Sequence, residues 1–170
     1  LVFRVLQEAG LPPGVINFLP GPGAIVGPIV LPHPELAGVH FTGSTDTFHS
    51  VWETVGASIR KYRSYPRLVG ETGGKDFVIV HPSAEPVETA TALVRGAFEY
   101  QGQKCSACSR LIVDEAIYDK LMPLVVEKTK KLKIGPPEAA ESQVGPVVNE
   151  KAMKTIKEYI DKGSKVWKIL

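Results

Sequence analysis

Two cysteines with a Cys-x-x-Cys spacing are the residues of this 170-residue sequence best suited to covalent chemistry. Cys105 lies in a polar, glycine-containing stretch, with Lys104 before it and Arg110 after it. Nearby cations favour the thiolate, which is the form of cysteine that acts as a nucleophile. The pattern therefore predicts a reactive thiol at Cys105, whereas Cys108 is expected to be buried and inert.

The same cysteine spacing also occurs in redox dithiols and in zinc sites. A redox pair normally opens a helix after a strand, but here a predicted helix precedes the pair and a predicted strand follows it. A structural zinc site needs four ligands, and the sequence offers two cysteines and four histidines without paired ligand spacing. We expect no metal, and a thiol-redox protein stays open as a distant alternative.

A first glycine-containing turn upstream of the cysteines approximates a dinucleotide-binding turn. The run Gly21-x-Gly23-x-x-x-Gly27 follows a strand predicted at residues 15–19. Its spacing is one residue longer than the usual fingerprint, and the prolines at positions 22 and 28 interrupt it. A plain turn is at least as good an interpretation of these residues.

A second turn, Phe41-Thr42-Gly43-Ser44-Thr45, ends a predicted strand and opens a predicted helix. Free backbone N–H groups and the Ser44 hydroxyl at such a helix start could bind a pyrophosphate. The simpler interpretation is that Ser44 caps the helix, and local chemistry alone favours the cap.

Strands alternate with helices along the whole chain, which predicts a parallel α/β fold. Further strands are predicted at residues 38–42, 68–69, 77–80 and 111–113. Helices are predicted at residues 1–8, from 24, at 48–59, at 83–100 with Pro86 in the first turn, and from 115. The final residues, 165–170, read as a periodic or strand-like run.

Composition excludes several classes of partner. Twenty basic and eighteen acidic residues leave a formal charge of +2, so no nucleic-acid partner is expected. The longest apolar stretches are too short to cross a bilayer, so no membrane partner is expected either. Two cysteines make no disulfide framework, which favours a reducing compartment. Because both ends fall within predicted elements, we expect the chain to be an internal piece of a larger protein.

Taken in order, these segments resemble the aldehyde dehydrogenase superfamily. The resemblance covers essentially the whole chain, and residues 97–110 look further like the pyrroline-5-carboxylate dehydrogenase branch. The segments that carry it are Pro13-Gly14-Val15-Ile16-Asn17, Gly21-x-Gly23-x-x-x-Gly27, Phe41-Thr42-Gly43-Ser44, Glu71-Thr72-Gly73-Gly74-Lys75 and Gly102-Gln103-Lys104-Cys105.

The resemblance implies a role for each candidate residue. Cys105 would attack an aldehyde, the hydride would pass to NAD, and Glu71 would act as the general base for hydrolysis of the thioester. Ser106 would touch the substrate. The helix start would bind the cofactor pyrophosphate through Gly43, Ser44, Thr45, Asp46 and Thr47, and the first turn would lie near the adenosine through Gly23 and Gly27.

The resemblance also implies the wider organisation. Residues 1–72 would be the C-terminal part of a Rossmann-type NAD-binding domain, and 73–170 the truncated N-terminal part of an α/β catalytic domain. The substrate would be the small-molecule aldehyde glutamate semialdehyde, oxidised to glutamate in proline breakdown. The parent would be a homo-oligomer in the cytoplasm or the mitochondrial matrix, and this piece alone would be inactive.

Three points stay open at the level of sequence. The preferred aldehyde could belong to another substrate class, and NADP could replace NAD. A non-catalytic nucleotide-binding relative would keep the fold without the chemistry, although the presence of both Cys105 and Glu71 argues against it.

Overall fold

The computed structural model describes residues 1–170, which form two compact units, Leu1–Thr72 and Gly73–Leu170. The first unit contains α1 (Val2–Glu8), α2 (Gly23–Val30), β1 (Gly38–Thr42), α3 (Thr45–Ala57) and β2 (Arg67–Glu71). The second contains β3 (Asp76–Val80), α4 (Pro86–Phe98), β4 (Cys108–Val113), α5 (Glu115–Lys130) and α6 (Glu150–Ser164). Short turns at Ile59–Lys61 and Glu99–Gly102 follow α3 and α4. Strands and helices alternate through most of the chain, which confirms the predicted α/β fold.

A two-stranded parallel sheet is the centre of the first unit. β1 and β2 pair in register, with Thr42 opposite Glu71, so both strands end at the same edge. The connection between them contains α3, as a parallel pair requires, and this helix buries Val51 and Val55. The bounds predicted for β1 from the sequence are confirmed.

Aromatic side chains join α3 to this sheet. The Phe48 ring stacks on Phe41 at 5.8 Å between centroids and meets Trp52 edge to face at 5.8 Å. Gly70 of β2 makes room for Phe48, because a Cβ at this position would overlap the ring. The glycine thus lets the helix approach the sheet closely.

The second unit packs two helices beside another parallel pair. β3 and β4 are connected through α4, which packs against α5. Buried side chains from β3, α4 and α5 form the core of this unit: Val80, Ala90, Leu93, Ile117 and Leu121. The pairing register shifts between the first two residues of β3, where Asp76 faces Cys108 but Phe77 faces Arg110. This bulge lies next to the predicted reactive cysteine, a common location for bulges near active sites.

The structure corrects the strand predicted at residues 15–19. This segment is irregular and exposed, with 64% of Val15 and 71% of Phe18 accessible to solvent. Neither sheet offers it a partner strand, and the flanking prolines remove backbone donors. The Phe18 ring lies 6.4 Å from Phe3 of α1 instead.

The predicted strands are divided between two sheets, with β2 in the first and β3 in the second. Only four residues, 72–75, connect them, which is too short for a parallel crossover. The chain therefore passes from one unit to the other between these strands.

The last correction concerns the C-terminal part of the chain. α6 was not predicted, although Asn149 caps it and apolar residues recur along it at helical spacing. Residues 165–170, predicted as a periodic or strand-like run, form no strand. The backbone N–H groups of Val166 and Trp167 bond to the Gly163 carbonyl, which completes the end of the helix.

Candidate active site

Cys105 lies in an exposed loop between α4 and β4, as the sequence predicts. The amide of Ala107 donates to the carbonyl of Lys104 at 3.2 Å, and this turn places Cys105 and Ser106 at its centre. Both central residues are exposed. The Cys105 thiol is therefore open to a ligand that enters the loop.

Cys108 differs from the expected buried thiol. It is half-buried at the start of β4, packs against the core of the second unit, and its Sγ donates to the Arg110 carbonyl at 3.3 Å. Both cysteines are free thiols. The motif follows a helix and enters a strand, so it lacks the arrangement typical of a redox dithiol.

The backbone before Cys105 is strained. Tyr100, Gln101 and Gly102 have φ values of +55°, +59° and +69°. Left-handed φ costs a non-glycine residue about 1–2 kcal/mol, and such strain persists only where surrounding contacts hold it. The approach to the cysteine is thus a backbone conformation that other residues must maintain.

Lys104 is paired with a carboxylate rather than free beside the thiol. Its Nζ lies 2.7 Å from Glu99 Oε2 and 5.2 Å from the centre of the Tyr100 ring. The hydrogen bond from Lys104 and then its charge lower the pKa of Glu99, with a smaller contribution from Arg95. The ammonium group therefore links two positions of the loop, Lys104 and Glu99.

Arg110, the other expected cation, ties β4 to the start of β3. Its Nη2 donates to the Lys75 carbonyl at 2.5 Å, and the guanidinium lies 5.7 Å from the centre of the Phe77 ring. These contacts hold the segment after Gly74 against the strand that follows the cysteines. Arg110 thus stabilises the strands that flank the cysteine loop rather than contacting the thiol.

Gly74 approaches the cysteine loop more closely than any side chain would permit. A Cβ on Gly74 would overlap the carbonyl oxygen of Cys105, whereas one on Gly73 would meet nothing within 4 Å. The two adjacent glycines therefore have different roles. The close backbone approach requires glycine at position 74. The Gly-Gly sequence alone does not show which of the two glycines is required.

In the first unit, Glu71 is the last residue of β2 and is exposed. Its carbonyl oxygen accepts a hydrogen bond of 3.0 Å from the amide of Gly43, the residue after β1. The predicted general base and the predicted phosphate-binding turn therefore share the carboxyl edge of one parallel sheet. Ligand sites of α/β sheets lie at this edge.

Ser44 is the N-cap of α3, which confirms the simpler interpretation of this residue. Its Oγ accepts from the amide of Thr47 at 3.2 Å and lies 2.7 Å from Thr47 Oγ1. Thr45 and Asp46 form the first turn of the helix, where backbone N–H groups have no partner within the helix. A side chain at Gly43 would collide with the Phe41 ring. The turn is compact, with amides available to an anion.

The glycines of the first turn lie on α2. Gly23 is the first residue of this helix and Gly27 lies inside it, after an N-cap at Pro22 that makes no side-chain hydrogen bond. Because residues 15–19 form no strand, the expected strand-turn-helix arrangement is wrong here. Gly23 keeps its place at a helix N-terminus.

A cavity of about 410 Å³ lies between the C-terminal parts of α4 and α5, with Val144 on its wall. It touches Glu99 but not Cys105. We therefore place the candidate chemistry at the open loop rather than in this cavity.

No group of three or more metal-ligating side chains gathers in this chain. None of its helices combines the length and apolar character needed to span a bilayer.

Comparison with known proteins identifies the family. The sequence matches the Aldehyde dehydrogenase family over residues 1–170. It is 47% identical over 163 residues to the mitochondrial Delta-1-pyrroline-5-carboxylate dehydrogenase of Emericella nidulans, covering 95% of this chain and 28% of that protein. The chain belongs to the aldehyde dehydrogenase family.

Solved structures give the same result at the level of fold. The Delta-pyrroline-5-carboxylate dehydrogenase from Mycobacterium tuberculosis bound with NAD matches with a TM-score of 0.90 at 45% identity, over 95% of this chain and 30% of that one. The 1-pyrroline-5-carboxylate dehydrogenase from Thermus with bound NAD matches with a TM-score of 0.90 at 38% identity, over 96% and 32%. The chain thus spans about a third of the length of these relatives.

Sequence reasoning did not find the residues that shape the cysteine loop. Gly74 was noted only as part of a motif, and neither Gln103 nor Glu99 was singled out. A charge pair five residues apart, Glu99 and Lys104, was the one available signal for the ion pair. The contacts of Gln103 and Gly74 depend on the tertiary fold.

Proposed function

We propose that the full-length protein oxidises glutamate semialdehyde, the open form of pyrroline-5-carboxylate, to glutamate with NAD. The observation that carries this proposal is the exposed Cys105 thiol in a loop shaped by the close approach of Gly74. The names of the relatives support the substrate and the cofactor. The family supports the reaction class.

Cys105 performs the covalent step. Its thiolate sulfur attacks the aldehyde carbon and forms a C–S bond, while the carbonyl π electrons move to oxygen. The C–H hydrogen then leaves as hydride, the oxygen re-forms the carbonyl, and a thioester remains on Cys105. When bound, NAD supplies the hydride acceptor.

Glu71 performs the proton transfer of the second step. Its carboxylate takes a proton from water, the hydroxide equivalent adds to the thioester carbon, and the C–S bond breaks to release the carboxylate product and the Cys105 thiolate. An exposed carboxylate at the end of β2 can exchange its proton with solvent after each turnover.

The N-terminus of α3 suits the cofactor pyrophosphate. Gly43 has no side chain to block an approaching phosphate, and the amides of Thr45 and Asp46, which have no partner within the helix, donate toward an anion. Thr47 completes this first turn, and its amide is bonded to the cap Ser44. Gly23 and Gly27 of α2 are assigned to the adenosine side of the cofactor by the family resemblance alone.

The proposal extends to the domains and the assembly. Leu1–Thr72 is assigned to the NAD-binding domain and Gly73–Leu170 to the catalytic domain, with Ser106 beside the substrate. The parent is proposed to be a homo-oligomer of the cytoplasm or the mitochondrial matrix, and the name of the Emericella nidulans relative supports the latter location.

The test follows NADH formation by the full-length protein with pyrroline-5-carboxylate and with a panel of simple aldehydes. Cys105→Ser is expected to lose roughly a thousandfold or more in rate, because the nucleophile is gone. Cys108→Ser is the matched control and is expected to keep most of the activity. Glu71→Gln is expected to release about one NADH per site and then stall, since hydrolysis of the thioester is impaired.

Three results would contradict parts of the proposal. Turnover of simple aldehydes without pyrroline-5-carboxylate would refute the substrate but keep the mechanism. Activity unchanged in Cys105→Ser would refute the nucleophile. Equal loss of the first and later turnovers in Glu71→Gln would refute its role as the hydrolytic base.

A further inference from the structure

Gln103 makes an unusual set of contacts two residues before Cys105. Its Oε1 accepts a hydrogen bond of 2.9 Å from the amide of Val148, 45 positions further along the chain. Its Nε2 donates to the Tyr100 carbonyl at 3.2 Å, and its backbone amide donates to the same carbonyl at 3.0 Å. The side chain therefore joins the left-handed backbone to a distant segment.

Gln101 reaches the same segment. In the amide orientation that satisfies both of its polar atoms, Oε1 accepts from the amide of Gly145 at 2.7 Å and Nε2 donates to the Tyr100 carbonyl at 3.1 Å. Two glutamine side chains thus accept two backbone N–H groups of the stretch 145–148. Together they account for how the strained run is held.

The other side of the cysteine is fixed by backbone packing. Gly74 lies directly against the Cys105 carbonyl, so that carbonyl cannot move toward β3. If the contact of Gln103 with Val148 is lost, the run that begins at Tyr100 can relax to an ordinary φ, and Cys105 then moves away from Gly74. A displacement of about 1 Å at a reacting group can cost about a hundredfold in rate.

We propose that Gln103 is a positioning residue for Cys105, an inference that rests on the proposed aldehyde oxidation. The side-chain amide of Gln103 links the left-handed run to Val148. This link determines the position of the Cys105 sulfur when it attacks the carbonyl carbon. Gln103 makes no chemical step itself. Its effect is on the formation of the C–S bond rather than on aldehyde affinity.

The experiment compares Gln103→Met, which has a similar length and loses both hydrogen bonds, with Gln103→Glu, which keeps an acceptor for Val148. Gln143→Met is the matched control, because Gln143 Oε1 accepts from the Lys133 amide at 3.1 Å and makes the same kind of bond without a contact to residues 100–105. Each full-length variant is measured for first-turnover NADH formation, for KM and for the rate of Cys105 alkylation by iodoacetamide between about pH 6 and 9.

For Gln103→Met, first-turnover NADH formation is expected to fall roughly ten- to a hundredfold with KM changed less than about threefold. The limiting alkylation rate at high pH should change as well, since the sulfur occupies a different position. Gln103→Glu should recover part of the first-turnover rate through its acceptor, and Gln143→Met should match the native protein in both assays.

Native first-turnover and alkylation rates in Gln103→Met would overturn the inference, and so would an equal loss in Gln143→Met. If Gln103→Met does not fold, Gln103→Glu decides the question: it lacks the side-chain donor to Tyr100, so a native first-turnover rate in this variant would overturn the inference that the Gln103 side chain joins Tyr100 to Val148. Alkylation does not depend on the aldehyde. A native protein that oxidises no aldehyde would therefore refute the proposed function, while the alkylation rates still test the position of Cys105.

Discussion

The amide of Gly43 donates a hydrogen bond of 3.0 Å to the carbonyl oxygen of Glu71. Gly43 directly follows Thr42, which is paired with Glu71 at the end of the first sheet. This bond joins the turn that opens α3 to the residue proposed as general base. A change in the turn is therefore transmitted to the backbone of Glu71.

Ser44→Ala is expected to weaken both α3 and NAD binding. Loss of the cap costs about 1 kcal/mol of helix stability, since the Thr47 amide loses its acceptor. The pyrophosphate site would then be less ordered, and NAD affinity should fall several-fold. Hydrogen exchange of the α3 amides and calorimetric titration with NAD measure the two effects.

Asn149→Ala is the control for this change. Asn149 caps α6 through the Ala152 amide at 2.9 Å, so its loss should cost similar helix stability. NAD affinity should stay native. If both variants bind NAD equally well, the N-terminus of α3 is not the pyrophosphate site.

Gly74→Ala is expected to displace the cysteine loop. The new methyl group would overlap the Cys105 carbonyl, and such overpacking typically costs about 1–3 kcal/mol. First-turnover NADH formation should fall at least about tenfold as the sulfur shifts. Stopped-flow measurement of NADH and the thermal unfolding midpoint together test this outcome.

Gly73→Ala separates this steric effect from a general effect of losing a glycine. The added methyl group would meet nothing within 4 Å, so near-native rates and stability are expected. Equal damage from both substitutions would show that the connection between β2 and β3, rather than the contact with Cys105, is sensitive.

Gly102→Ala and Gly96→Ala are expected to change stability in opposite directions. Gly102 has φ +69° and its Cβ would lie 3.0 Å from the Ala97 carbonyl, so alanine should destabilise by about 1–2 kcal/mol. Gly96 lies inside α4, where alanine should stabilise by about 0.5–1 kcal/mol with an ordinary 3.9 Å contact to Cys108. The thermal unfolding midpoint should fall in Gly102→Ala and rise in Gly96→Ala. A gain in Gly102→Ala would mean that the left-handed conformation at this position is not required.

Local patterns predicted the elements that are defined by neighbouring residues. The strand at residues 38–42 and the proline in the first turn of α4 each depend on residues close together in sequence, and the structure confirms both. The position of Cys105 in a loop before a strand follows from the same kind of pattern. The chemistry-bearing positions could therefore be placed on elements from sequence.

The errors came from features that depend on distant partners. Residues 15–19 have the composition of a buried strand, but a strand exists only where a neighbour accepts its hydrogen bonds. The roles of Gly74 and Gln103 likewise arise from contacts with Cys105 and Val148 that lie 31 and 45 positions away. Lys104 and Arg110 were predicted from proximity in sequence, while their actual partners are set by the fold.

Acidification is expected to release the ion pair that braces the cysteine loop. Lys104 lowers the pKa of Glu99 below its ordinary value of 4.5, so the pair stabilises the folded state above that value. This contribution is lost as pH falls below 4.5 through the folded pKa. The difference in unfolding free energy between the native protein and Glu99→Gln should therefore be present near neutral pH. It should disappear once the pH is below the pKa of Glu99 in the folded protein.

Glu127→Gln provides the matched comparison for this pH dependence. Lys131 lowers the pKa of Glu127 in the same direction, but this pair lies on α5 and not in the cysteine loop. Both substitutions should give the same pattern in unfolding midpoints across pH, and added salt should reduce both effects because the side chains are substantially exposed. Only Glu99→Gln should alter the rate of Cys105 alkylation at neutral pH. An equal change of that rate in both variants would mean that the Glu99 pair acts on global stability and not on the cysteine loop.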